Sequence, residues 1–342
     1  MNAHFGNWSA PPTICVSNQR HKKPFERSFE SMLSRRNIRV KVMQVLYAMS
    51  RDKRLTIDAA RKRYRNGIEK SFELYLFALY AFLKVAQYAR VDAANKRAKL
   101  RPTAADKKFT PKLCENALVQ SLAKNHDFQM MAKKYQLADR IPEDRIRSLY
   151  TDFAKTPVYK EYLNTHDDSP DTHRQVLLEL YKFCQGSELF CEMLEDNFLS
   201  YTDDKSLVVG AIKKTIKALP ANGNFYEAHQ PSEEAAFEFG EALLNDVAQR
   251  DGELLTIIEP TLKNWDAERV AIIDMILLKM ALSELMNFPT IPTKVTLNEF
   301  VEISKLYSTD KSKDFINGIL DRLMKKLHKE GKITKEGRGL ID

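Results

Sequence analysis

Glycine is scarce in this chain, 11 residues in 342, and few stretches alternate apolar and polar residues with period two. Both observations argue against a β-rich fold and for a nearly all-α one. The four cysteines, Cys15, Cys114, Cys184 and Cys191, form no CxxC pair and no regular framework. That excludes a disulfide scaffold or zinc ribbon and reads as the reduced thiols of a cytosolic, cytoplasmic protein. The longest apolar run, residues 74–83, falls short of the roughly 20 residues that a membrane span needs, and the first residues lack the apolar core of a secretory signal. No membrane association is expected.

Signatures of chemistry are missing too. There is no GxxxxGK[ST] loop, no GxGxxG after a strand, no HExxH and no GxSxG. The seven histidines are scattered, and the pairs Asp167-Asp168 and Asp203-Asp204 sit at expected helix starts, where compensation of the helix dipole accounts for them. The residues therefore point to binding rather than catalysis, with no metal and no cofactor.

What the sequence does have is charge, unevenly placed. The net charge is +8, yet residues 32–112 hold 21 Lys/Arg against 6 Asp/Glu, a balance of +15, leaving −7 for the remainder. A polycationic end favours a polyanionic partner such as nucleic acid. Solvated helix faces are the alternative, and charge alone does not choose between them.

Helical periodicity runs through most of the rest. In residues 34–49, SRRNIRVKVMQVLYAM, Ile38, Val42, Val45 and Met49 share a face that should pack on a core. Arg36, Val40, Met43 and Tyr47 lie on another face, with Arg39 and Gln44 at its margins. That second face is either a ligand surface or the contact with a further packed layer. Residues 68–86 form a longer apolar stripe, flanked by the basic clusters Arg61-Lys62-Arg63 and Lys96-Arg97. Further helices are expected at 112–125, 143–155, 172–184, 188–198 and 205–219. A turn cluster at 221–224 precedes another helical stretch, which Asp251-Gly252 should break in two.

The sequence is organised around WDAERVAIIDMILLKMALSELMNFP, which is apolar on two sides and so central, with Asp266 as its expected N-cap. KVTLNEFVEISKLYS and KSKDFINGILDRLMKKLHK follow. Together with the arginine-bearing helix SRRNIRVKVMQVLYAM, this C-terminal series resembles the NusB family of transcription antitermination factors. The resemblance implies an all-α fold, two three-helix bundles enlarged by an additional helical region. The corresponding division is a disordered leader (1–31), a first part of the core (32–60), a helical insert (61–225), a second part of the core (226–332) and a loose tail (333–342).

What the resemblance implies for function is an RNA-binding antitermination factor of ribosomal RNA operons. Such a factor binds boxA-type single-stranded RNA together with the ribosomal protein NusE, within the RNA polymerase antitermination complex. Arg35, Arg36, Arg39, Gln44 and Tyr47 occupy matching positions of the basic first helix, and Phe315 matches the aromatic before the family's Asn-Gly. Lys311 stands where some relatives carry an acid, and with Arg322 it flanks Phe315 on one lateral face of the helix. Asp274 matches an acid associated with the NusE contact. It falls beside Val270, Leu277 and Ala281, where a carboxylate needs a partner, either an internal arginine or another protein. The competing class is a helical interaction scaffold whose basic surface serves an acidic protein, with no sequence-specific role on RNA.

Overall fold

A computed structural model describes residues 32–262 and 270–340; the leader and the segment holding Trp265, Asp266 and Arg269 lie outside the described residues. Among the described residues there is no β-strand. The helices are α1 (Arg35–Arg51), α2 (Ile57–Arg97), α3 (Ala104–Lys108), α4 (Lys112–Glu115), α5 (Ala117–Ala123), α6 (His126–Lys134), α7 (Glu143–Phe153) and α8 (Pro157–Asn164). They continue with α9 (Pro170–Gly186), α10 (Glu188–Asn197), α11 (Tyr201–Ala218), α12 (Gly240–Gln249), α13 (Asp251–Ile258), α14 (Ile272–Asn287), α15 (Thr293–Tyr307) and α16 (Ser312–Lys329).

The apolar side chains form two cores. One gathers Ile38, Val42 and Val45 of α1 with Leu243, Leu277, Phe300, Ile316 and Leu323. The other is built from α2 and the helices between residues 113 and 226, with Leu79, Leu122, Tyr150, Leu180 and Ile212 at its centre. Helix α2, 41 residues long, serves both. Tyr64 and Ile68 belong to the first core and Phe72 onward to the second, so the change of core falls within one helix. The stripe read over residues 68–86 thus extends in both directions, because α2 is covered along nearly its whole length.

Local chemistry sets several boundaries. Ser34 caps α1 by a capping box with Asn37, and Thr56 caps α2. The single helix expected at 112–125 is two: the Asn116 side chain accepts from the Val119 amide at 2.9 Å and restarts the helix. A π-helical turn, Glu233–Phe239, leads into α12 from its cap Ser232.

Two expectations need correction. Helix α14 begins at Ile272, with Ala271 in the cap position, later than a start at Trp265 implies. The tail is not loose as far as it is described: Ile333 is buried, the Glu336 amide donates to the Pro289 carbonyl at 3.0 Å, and Lys335 Nζ reaches the Phe288 carbonyl at 3.1 Å. No described helix is long and apolar enough to cross a membrane.

Candidate nucleic-acid interface

The residues singled out in the sequence fall into two groups. The first lies along α1, and its charges are met by acids of the same chain. Arg35 donates to Glu234 at 2.9 Å and lies over the Phe239 ring. Arg36, the most exposed of the three arginines, holds both carboxylate oxygens of Glu299 at 2.8 Å; that hydrogen bond raises the guanidinium's pKa further. Gln44 donates to Asp203 at 2.7 Å, and Tyr307 holds the other oxygen of the same carboxylate at 3.1 Å. Tyr47 is 40% exposed.

Arg39 is a correction. It is only 2% exposed, and its Nε and Nη2 each donate to Glu284 at 2.7 Å. The Phe239 and Phe300 rings stand 5.2 and 5.8 Å from the guanidinium carbon. A guanidinium so enclosed joins α1 to α14 and presents nothing to a ligand. Met43 is buried as well, and Val40 packs on the same core, so α1 is sandwiched over most of its length. Helix α11 supplies part of the second layer: its Asp204 accepts from buried Lys41 at 3.0 Å and from Ser71 at 2.7 Å. Asp203 and Asp204 are thus more than dipole-compensating residues.

The second group converges on one cleft. Between the start of α14 and the first turns of α16 lies a space of about 650 Å³, lined by Asp274, Lys311, Phe315, Gly318 and Arg322 with Thr309 and Ser312. Lys311 and Arg322 are exposed and Phe315 is half-buried. Arg322 Nη1 donates to the Thr261 carbonyl at 3.3 Å. Among the described residues, a Cβ added at Gly318 would meet nothing within 4 Å, so this glycine widens the cleft and no described helix crosses it there.

Asp274 is buried, 5% exposed, so it is not the surface residue that a pure contact role would require. Among the described residues its internal partner is Ser312, not an arginine: the Ser312 hydroxyl donates to Oδ2 at 2.7 Å. The same hydroxyl accepts from the Thr309 amide at 3.2 Å, which ties the carboxylate to the N-terminal turn of α16, where negative charge is favoured. Oδ1 is buried and has no hydrogen-bond partner among the described residues. Ser312, read from the sequence only as part of a helix start, is the residue that reasoning missed. No sequence signal placed it opposite Asp274, which lies 38 residues away on another helix.

The NusB family model matches residues 202–325. Residues 202–325 are thus similar to the NusB family. The NusB match runs from α11 to α16 and so includes the whole α14–α16 cleft while leaving out α1. The transcription antitermination protein NusB of Salinibacter ruber is 42% identical over 104 residues, 30% of this chain and 65% of that protein. The protein of the same name from Chloroherpeton thalassium is 42% identical over 100 residues, 29% of this chain and 47% of its own length. That from Natranaerobius thermophilus is 44% identical over 72 residues, covering 21% and 52%. The chain therefore spans less than two thirds of each of these curated relatives. No solved structure matches it.

Proposed function

We propose that the protein is an RNA-binding transcription antitermination factor, acting on ribosomal RNA operons through boxA-type single-stranded RNA and a NusE-type ribosomal protein. The observation that carries this reading is the cleft at the head of α16. An aromatic ring flanked by Lys311 and Arg322 opens onto the space that Asp274 also lines, inside the NusB domain. Unpaired RNA is bound by bases laid on aromatic planes with phosphates held by Lys and Arg, and this cleft offers both. The relatives named above are antitermination proteins, which supports the same reading.

Anisotropy titration with a boxA-like RNA tests it. Phe315→Ala is expected to weaken binding by roughly 5-fold to 100-fold, since stacking contributes about 1–3 kcal/mol per base. Lys311→Ala is expected mainly to flatten the salt dependence, by about 0.7 in the log–log slope for one lost phosphate contact. Unchanged RNA affinity in a Phe315→Ala protein that melts like the wild type would remove the cleft from the RNA site.

One observation weighs against RNA at α1 and keeps the scaffold alternative in play: Arg35 and Arg36 already hold internal acids. Glu299→Gln separates the two. If α1 meets RNA, loosening Arg36 strengthens RNA binding several-fold at low salt, a step of the order of 1 kcal/mol. If the basic surface serves an acidic protein, RNA binding is weak in both forms and only the protein complex responds.

A further inference from the structure

The cations of α2 are treated differently at its two ends. Near the N-terminus Arg61 pairs with Asp58, Arg65 with Glu241 and Lys70 with Glu73. At the other end, residues 90–112 hold eight Lys/Arg against two Asp/Glu. Three of the eight are paired: Lys96 with Asp92, Lys99 with Asp106 at 2.8 Å, and Lys112 with Asp168 at 2.9 Å. Both acids of the segment are thereby consumed. Lys99 and Thr103 hold Asp106 at a pKa of about 2, so it stays charged and committed to that pairing. Arg90, Arg97, Arg101, Lys107 and Lys108 are all exposed and make no ion pair among the described residues.

Placement makes a surface of them. Arg90 and Arg97, seven residues apart, share a face of α2; Arg101 follows its end at Ala98; and Lys107 and Lys108 close α3, which packs back against α2. Dipole compensation at the end of α2 accounts for Lys96 and Arg97 at most, because the effect fades beyond the last turn. Apolar area is slight: Leu100 is fully exposed, and Phe109 is half-buried with Lys96 Nζ 3.5 Å from its ring centre. Protein interfaces have cores depleted of charge and rich in apolar anchors, which this surface is not. A polyanionic backbone suits it better.

We propose that this end of α2, with Arg101 and the last turn of α3, is a second RNA-binding site that holds phosphates without reading bases. It rests on the reading of the protein as an RNA-binding factor, and it lies outside the NusB match. Tyr64, whose hydroxyl donates to Ala236, marks where α2 joins the NusB core. Arg97 lies 33 residues further along the same helix, about 50 Å at 1.5 Å per residue. At about 3.4 Å per stacked nucleotide, an RNA must run to roughly 15 nucleotides to bridge that length. The added helices would then lengthen the RNA footprint of the NusB domain.

The test is binding of two unstructured RNAs, one of about 8 nucleotides and one of about 40, across a salt series. Removing Arg97, Arg101, Lys107 and Lys108 together as glutamines is expected to weaken the long RNA at least tenfold and lower its log–log salt slope by about 3, at roughly 0.7 per contact. The short RNA, which binds in the α14–α16 cleft, is expected to stay within about twofold. All four positions are exposed, and an unchanged melting temperature confirms folding. The inference fails if the fourfold variant binds the long RNA like the wild type. It fails equally if glutamines at Lys133 and Lys134, exposed lysines at the end of α6, lower the slope as much, or if an acidic polypeptide binds the patch more tightly than RNA does. If instead the short RNA does not bind while the long one does and is lost in the fourfold variant, the cleft reading falls and this site stands.

Discussion

Arg39 of α1 and Glu284 of α14, 245 residues apart in sequence, form a two-bonded ion pair at 2.7 Å with neither side chain more than 2% exposed. Thr296 of α15 completes it by donating to Glu284 Oε1 at 2.8 Å. Three helices are thus keyed to one carboxylate. Removing one partner leaves a buried charge uncompensated, so Arg39→Ala and Glu284→Ala are each expected to cost about 3–5 kcal/mol. Replacing both with apolar residues of similar volume should cost far less. Urea denaturation of the two single variants and the double one checks this. Additive losses in the double variant would mean the pair is not coupled.

Gly240 opens α12 where it packs against both α1 and α2. A Cβ there would run into the Tyr64 hydroxyl and lie 2.6 Å from Ile38 Cγ2. Alanine in a helix ordinarily gains up to about 1 kcal/mol over glycine. Here Gly240→Ala is expected to lose about 1–3 kcal/mol through overpacking, and Gly318→Ala, which meets nothing within 4 Å among the described residues, to be neutral or stabilising. Thermal melts of the two variants check this: Gly240→Ala should lower the melting temperature and Gly318→Ala should not.

Much of the fold could be read from periodicity, and the failures have physical causes. Helices α14, α15 and α16 announce themselves by apolar stripes that α1, α12, α13 and one another cover. Helices α6 and α8, of nine and eight residues, were not anticipated, because so short a segment shows barely two turns of pattern. The break at Asn116 is a contest between a side-chain cap and helix continuation that apolar spacing does not register. At the site, the lateral face of α16 was legible because Lys311, Phe315 and Arg322 come from one helix. The fate of Arg39 was not, since it depends on a glutamate 245 residues away. A signal did exist: Glu284 sits in a helix apolar on two sides and so central, and a buried acid there requires a cation from elsewhere.

Stability should depend on pH through His229. Its ring lies 4.7 Å from that of Tyr75, and Nε2 stands 3.0 Å from the Thr215 hydroxyl. Burial pushes the imidazole down from its usual 6.5 to about 4. The unfolded chain takes up this proton near pH 6.5 and the folded one only near 4. The contribution of the neutral ring is therefore complete above about pH 6.5 and lost as pH falls toward 4, by up to roughly 3 kcal/mol. His173, lowered by burial too, acts in the same direction. His229→Phe is expected to flatten, though not abolish, the fall in melting temperature between those pH values. An unaltered profile would assign the acid sensitivity elsewhere.

Asp274 has one oxygen committed and one not. Oδ2 accepts from Ser312 at the head of α16, while Oδ1 is buried without a partner among the described residues. Removing the side chain takes away the buried acceptor of the Ser312 hydroxyl and leaves it only the Ser308 and Thr309 hydroxyls, so Asp274→Ala is expected to cost about 1–3 kcal/mol, more than a surface substitution would. Asp274→Asn keeps the shape and an oxygen for Ser312, and stability should stay within about 1 kcal/mol of wild type. The two roles then separate. If the carboxylate serves recognition of a NusE-type protein through a charge-assisted hydrogen bond, Asp274→Asn forms that complex at least tenfold more weakly, about 1.4 kcal/mol, while melting normally. Titration calorimetry with the ribosomal protein, beside chemical denaturation of both variants, reads the two quantities independently. Wild-type affinity in the Asn variant, with destabilisation confined to the Ala variant, would make Asp274 a packing and capping residue of α16 and move the partner site elsewhere on the NusB domain.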